Sequence, residues 1–110
     1  DKQYDKAIIA FQDFIAKYPK SVYRPNAHYW LGQLLFSQKR TDEAAAQFAA
    51  VVKDFPKSPK RADAMLKLGV IAQEKGDVAG AKTVFQQIIS AYPTSSSAKM
   101  AKSRLAALGG

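Results

Sequence analysis

The chain contains no cysteine and one histidine, His28. The first absence removes disulfides, thiolate nucleophiles and zinc sites built on sulfur. The second leaves any catalytic or metal constellation to carboxylates alone. Asp13, Asp42, Glu43, Asp54, Asp63, Glu74 and Asp77 are scattered singly or beside lysines, as on a solvated helix surface. No glycine-rich phosphate loop is present. No apolar run approaches the roughly 18 residues that a membrane span requires. A charged-then-apolar secretory start is also missing, which leaves the compartment open because a mature chain would look the same. These absences make a non-enzymatic chain without metal or cofactor the expectation.

What is present fits one globular domain, residues 1–110. Hydrophobic residues make up 47% and charged residues 24% of the 110 positions, the balance of an ordinary folded domain. Seventeen Lys and Arg against nine Asp and Glu give a net charge of +8. That excess suits an acidic protein partner or a polyanion, and says nothing about fold.

Internal repetition dominates the pattern. Ala7, Ala44 and Ala81 stand 37 apart, as do Phe11, Phe48 and Phe85 and the pairs Tyr18-Pro19, Phe55-Pro56 and Tyr92-Pro93. Ser21, Ser58 and Ser95 share the period, and so do Leu31-Gly32, Leu68-Gly69 and Leu105-Ala106. Within the middle copy, Ala44, Phe48, Val51, Val52 and Phe55 recur at three and four, which draws one apolar stripe along a helix. An aromatic residue directly before proline leaves the α region and stops that helix. Ser58-Pro59 predicts a helix cap with proline in the first turn, and Gly76 suits a left-handed helix end. Glycine inside a helix costs about 0.5–1 kcal/mol against alanine. Gly32 and Gly69 therefore require close packing, expected from Ala44 and Ala81, with Phe48 and Phe85 filling the joints between units.

Leu-Gly in a first helix, followed by Ala-x-x-x-Phe and a closing proline in a second, resembles the tetratricopeptide repeat. The resemblance implies an all-α fold, a tetratricopeptide-repeat superhelix of antiparallel helix pairs with about five helices. The units are the second helix of a truncated repeat (1–19), a repeat at 20–56, a repeat at 57–93 and a capping helix at 94–108. There are two departures. His28 and Met65 stand where the pattern has tryptophan, which gives His28 a packing role, and the period exceeds the usual value of about 34. The surplus falls at residues 21–24 and 58–61, as an extra turn or a longer loop.

A narrower resemblance rests on residues 10–15 (AFQDFI), 26–33 (NAHYWLGQ) and 57–70 (KSPKRADAMLKLGV). These are similar to the C-terminal domain of the YbgF family of Tol-Pal system proteins, also called cell division coordinators of the CpoB type. The resemblance implies a periplasmic protein that binds TolA and links peptidoglycan synthesis by a penicillin-binding protein to outer-membrane constriction. It also implies a trimeric coiled coil outside this sequence, so that the present chain is expected to be monomeric. A looser resemblance is to outer-membrane-assembly lipoproteins of the BamD type.

Carrying over the family's groove positions puts Asn26, Tyr29, Gln33 and Phe36 on the concave face from one unit. Asp63, Leu66, Val70 and Gln73 come from the next, and Met100 and Ser103 from the capping helix. Tyr29 and Phe36 head this set, since aromatic residues dominate interface hot spots. Trp30 is open between the groove and the core. The positions that grip chaperone carboxylates hold Tyr29, Gln33, Asp63 and Lys67, and only Lys67 has the required chemistry. The rival reading is a basic polyanion-binding edge made of Lys17, Lys20 and Arg24 with Lys53, Lys57, Lys60 and Arg61. Solvated surface charge is the commoner cause of such a pattern and no recognition motif accompanies it, so no nucleic acid is expected.

Overall fold

The computed structural model describes residues 2–110, and among them the regular structure is entirely helical. Six helices follow one another: α1 (Lys2–Lys17), α2 (Arg24–Ser37), α3 (Thr41–Asp54), α4 (Arg61–Glu74), α5 (Val78–Ala91) and α6 (Ser96–Ala107). The number is close to the expected count of about five, with one helix from each flanking half-unit and two from each full repeat. Each helix packs on its successor, and α4 also touches α6. The result is an elongated stack of 42 × 30 × 18 Å.

Local chemistry sets the element ends. Phe55 and Tyr92 leave the helical region at ψ 64° and 58°, ahead of Pro56 and Pro93. Gly76 turns the chain at φ 83°, and the Asp77 carboxylate accepts the Gly80 N–H at 2.9 Å to cap α5. The extra residues of the long period form a turn between units, with Arg24 N–H donating to Ser21 O and Arg61 N–H to Ser58 O. Ser58 does not cap α4. Its hydroxyl accepts the Lys60 N–H at 3.1 Å inside that turn, and Ser21 serves Tyr23 in the same way. Of the three serines in this register, Ser95 alone caps its helix, accepting from Ala98 N–H at 3.0 Å.

Lys39 occupies the register of Gly76 one unit earlier, with φ 62°. A side chain in the left-handed region costs roughly 1–2 kcal/mol, of which glycine's extra freedom in the unfolded chain takes back about 0.5–1. Lys39→Gly should therefore raise stability by about 0.5–1 kcal/mol, read as a higher urea midpoint. A lower midpoint would show that the turn carries no such strain.

Two apolar clusters form the core. The first gathers Ile8, Tyr29, Leu31, Leu35, Ala44, Phe48, Val51, Ala64 and Ile71 from four successive helices. The second gathers Met65, Leu66, Ala81, Phe85, Ile88, Ala98 and Ala101. Phe48 and Phe85 are fully buried. Each ring lies against the glycine of the preceding helix. A Cβ on Gly32 would stand 2.7 Å from Phe48 Cε1, and one on Gly69 2.5 Å from Phe85 Cε1. The close approach that offsets each helical glycine thus comes from the phenylalanine ring rather than from Ala44 or Ala81.

Arginines tie the joints. Arg61 donates through Nε to Val52 O at 3.0 Å and through Nη1 to the Tyr92 hydroxyl at 3.1 Å. Arg24, one period earlier, donates to Pro19 O at 3.0 Å and lies over the Phe55 ring. His28 fills its packing position with Nδ1 2.7 Å from Gln47 Oε1 and its ring beside Phe55.

Candidate partner-binding groove

The first helices of the units, α2 and α4, and the capping helix α6 present matching positions at the 37-residue period. Residues 26, 63 and 100 form one row, residues 30, 67 and 104 another. Of the positions expected to face a partner, Asn26, Gln33, Phe36 and Val70 are half-buried, whereas Ser103 and Met100 are exposed, Met100 at 51%.

Tyr29 and Leu66 are corrected by the structure. They are 7% and 5% exposed and belong to the clusters around Phe48 and Phe85 respectively. The Tyr29 ring stands edge-on to Phe48 at 5.6 Å, completing the packing of the joint. Burial, helped by the nearby Asp63 carboxylate, pushes the Tyr29 phenol above its ordinary ionisation range. Trp30 takes the place foreseen for Tyr29: it is 46% exposed, with its ring perpendicular to that of Tyr29 at 5.3 Å.

Asp63 and Gln73 are engaged within the fold. The Ser97 hydroxyl donates to Asp63 Oδ1 at 2.6 Å, and Arg104 Nη1 donates to Gln73 Oε1 at 3.1 Å. Both bonds hold α6 to α4. They had no signal in the single helices, because they join residues 34 and 31 positions apart.

Lys60 sits elsewhere than the basic edge. Expected on a basic edge, it lays its ammonium over the rings of Tyr29 and Trp30, 4.9 and 5.1 Å from their centroids. With Arg24 and Arg61 tied into the joints, three of the seven cations counted toward that edge are committed elsewhere.

Beside Trp30 lies an open cavity of about 500 Å³ whose walls include Ala7, Phe11, Leu34 and Phe36, with Lys67 at its margin. A second hollow of about 350 Å³ continues past Trp30 to Phe14 and Tyr23. Phe11, unlike Phe48 and Phe85, is only half-buried. Among the described residues no cluster of His, Asp and Glu could hold a metal ion, and no helix is long and apolar enough to cross a membrane.

Paired helices, a ring against a helical glycine and a repeated aromatic-proline stop are joined by a family match. Residues 2–59, more than half of the chain, match the model of the tetratricopeptide repeat, and residues 63–95 match a second model of the same description. The chain belongs to the tetratricopeptide-repeat family.

Relatives narrow this further. A stretch of 34 residues is 59% identical to the cell division coordinator CpoB of Escherichia coli strain K12, covering 31% of this chain and 13% of that protein. Over 33 residues the chain is 54% identical to CpoB of Pseudomonas putida, covering 30% of the chain and 12% of the relative. The match thus spans about an eighth of the length of these relatives. Tetratricopeptide repeats together with this similarity identify a protein-interaction module like part of a cell division coordinator.

Proposed function

We propose that the chain is a protein-interaction module of the periplasmic Tol-Pal system. In this reading it binds TolA across its concave face and helps to coordinate outer-membrane constriction with peptidoglycan synthesis by a penicillin-binding protein. The similarity to CpoB carries the assignment. The exposed Trp30 supports the concave face as the place of binding, because tryptophan is enriched in interface hot spots and is here half open to solvent.

The test is capture on the immobilised chain from periplasmic extract, followed by titration with purified TolA. TolA should be retained. Trp30→Ala should weaken it by roughly thirtyfold, the effect of losing a hot spot of about 2 kcal/mol, while leaving the thermal midpoint within 2 °C or so. Failure to retain TolA would overturn the assignment. Equal retention by the Trp30 variant would move the contact off this face.

A further inference from the structure

We infer that the groove takes an extended acidic segment of its partner, with an apolar residue seated beside Trp30 and carboxylates following along Lys67 and Arg104. This rests on the reading of the concave face as a protein-binding surface and adds the chemistry of what binds.

Among the described residues, the cavity beside Trp30 is lined mainly by apolar side chains with one charged group, Lys67, and no carboxylate. Lys67 is half-buried and forms no hydrogen bond or ion pair among the described residues. The carboxylate one helical turn before it, Asp63, would be its natural neighbour, yet Asp63 is turned to α6 by the Ser97 hydroxyl. An ammonium at the edge of an apolar cavity with no carboxylate beside it favours an anion from outside. Lys60 adds a second cation against the Trp30 ring.

The 37-residue register then sets the spacing. Trp30, Lys67 and Arg104 are equivalent positions on α2, α4 and α6, so a ligand crossing the groove meets an aromatic ring, an ammonium and a guanidinium in order. Trp30 and Lys67 line one cavity and α4 touches α6; helices in contact lie about 8–10 Å apart, and an extended chain advances about 3.3 Å per residue. The matching segment is therefore one apolar residue followed by acidic residues roughly three and six positions away. Arg104 already donates to Gln73 through Nη1, and guanidinium has further N–H groups for a carboxylate.

Trp30 is the chain's only tryptophan, so its fluorescence reads this site alone. The probes are three synthetic peptides: one with leucine and two glutamates at that spacing, one with the glutamates changed to glutamine, and one with them changed to lysine. The glutamate peptide should shift Trp30 emission to the blue and bind at least tenfold more tightly than the glutamine peptide. Raising the salt should erode that gap, and the lysine peptide should give no shift. Lys67→Glu should abolish the preference and let the lysine peptide bind, a rescue that simple unfolding cannot imitate.

Equal affinity for glutamate and glutamine peptides, or an unmoved Trp30 emission, would overturn the inference. So would concentration-dependent dimers that disappear in Trp30→Ala on sedimentation, since a second copy would then fill the cavity. The two readings separate cleanly. Retention of TolA with equal strength by the wild-type chain and Lys67→Glu removes the acidic-segment site and keeps the partner. Peptide selectivity without TolA retention keeps the site and removes the partner.

Discussion

Phe48→Ala is expected to lose about 3–5 kcal/mol of stability, the range for truncating a fully buried phenylalanine. The ring is completely shielded, touches the Gly32 backbone closely and stands edge-on to Tyr29. Its removal opens a void that glycine cannot refill, since Gly32 has no side chain to move. Against a typical total of about 5–15 kcal/mol this is a large share. For a domain of this size it lowers the melting temperature by roughly 12 °C or more. Phe85→Ala should behave alike, being buried to the same degree against Gly69. Phe11→Ala should lose much less, because that ring faces an open cavity and is only half-buried. An exposed change such as Lys53→Ala should stay within about 0.5 kcal/mol. Thermal melts of the four variants give the order directly. Similar losses for Phe11 and Phe48 would contradict the placement of the rings.

Tyr29→Ala is the second large effect, a loss of about 3 kcal/mol by the same mechanism of cavity formation. Its hydroxyl gives a finer test. Burial and Asp63 keep the phenol protonated in the folded chain to higher pH than in the unfolded chain. Above the ordinary tyrosine range of about pH 10 the unfolded state therefore binds fewer protons. Stability from this group is complete below about pH 10 and is lost as pH rises toward the folded value. Tyr29→Phe keeps the ring and removes the ionisable group, so the fall in urea midpoint between about pH 8 and pH 10.5 should become shallower. An unchanged slope would show that the hydroxyl is not held in a desolvated site.

The contrast between Tyr29 and Trp30 explains how much of the site was legible in the amino-acid order. Periodicity finds helices, and the 37-residue register aligned Phe48 with Phe85 and Gly32 with Gly69. Those positions pack through one repeated geometry, so pattern was enough. Tyr29 and Trp30 are neighbours, separated by about 100° around a helix. Both are aromatic, and their assignment turns on which one faces α3. Within one unit chain order does not distinguish them; the next unit offers Leu66 and Lys67, and Lys67 at the Trp30 position is the hint that this row faces water.

Ser58 was misassigned for a similar reason. A serine followed by proline caps a helix or closes a turn with the same local bonds, and the added residues of the long period decided for the turn. Lys60 was counted with the basic edge because its ring partners lie 30 and 31 positions earlier in the chain. Contacts between units, such as Ser97 with Asp63 and Arg104 with Gln73, depend on how far each helix pair rotates on the last. That rotation is set by side-chain packing across the joint and leaves no trace in the period.

An aromatic ring lodged on a helical glycine locks each pair of helices. A double-mutant cycle of Gly32→Ala and Phe48→Leu measures it most directly. An added Cβ at residue 32 meets the Cε1 and Cζ end of the Phe48 ring, and leucine lacks those atoms. Gly32→Ala should destabilise the wild-type chain by about 1–3 kcal/mol through overpacking. In the Phe48→Leu background the same change should be neutral or stabilising, since alanine favours helix by about 1 kcal/mol. The coupling should therefore exceed about 1 kcal/mol. Additive losses, or a stabilising Gly32→Ala in the wild-type chain, would show that the ring does not rest on the glycine and would contradict the account.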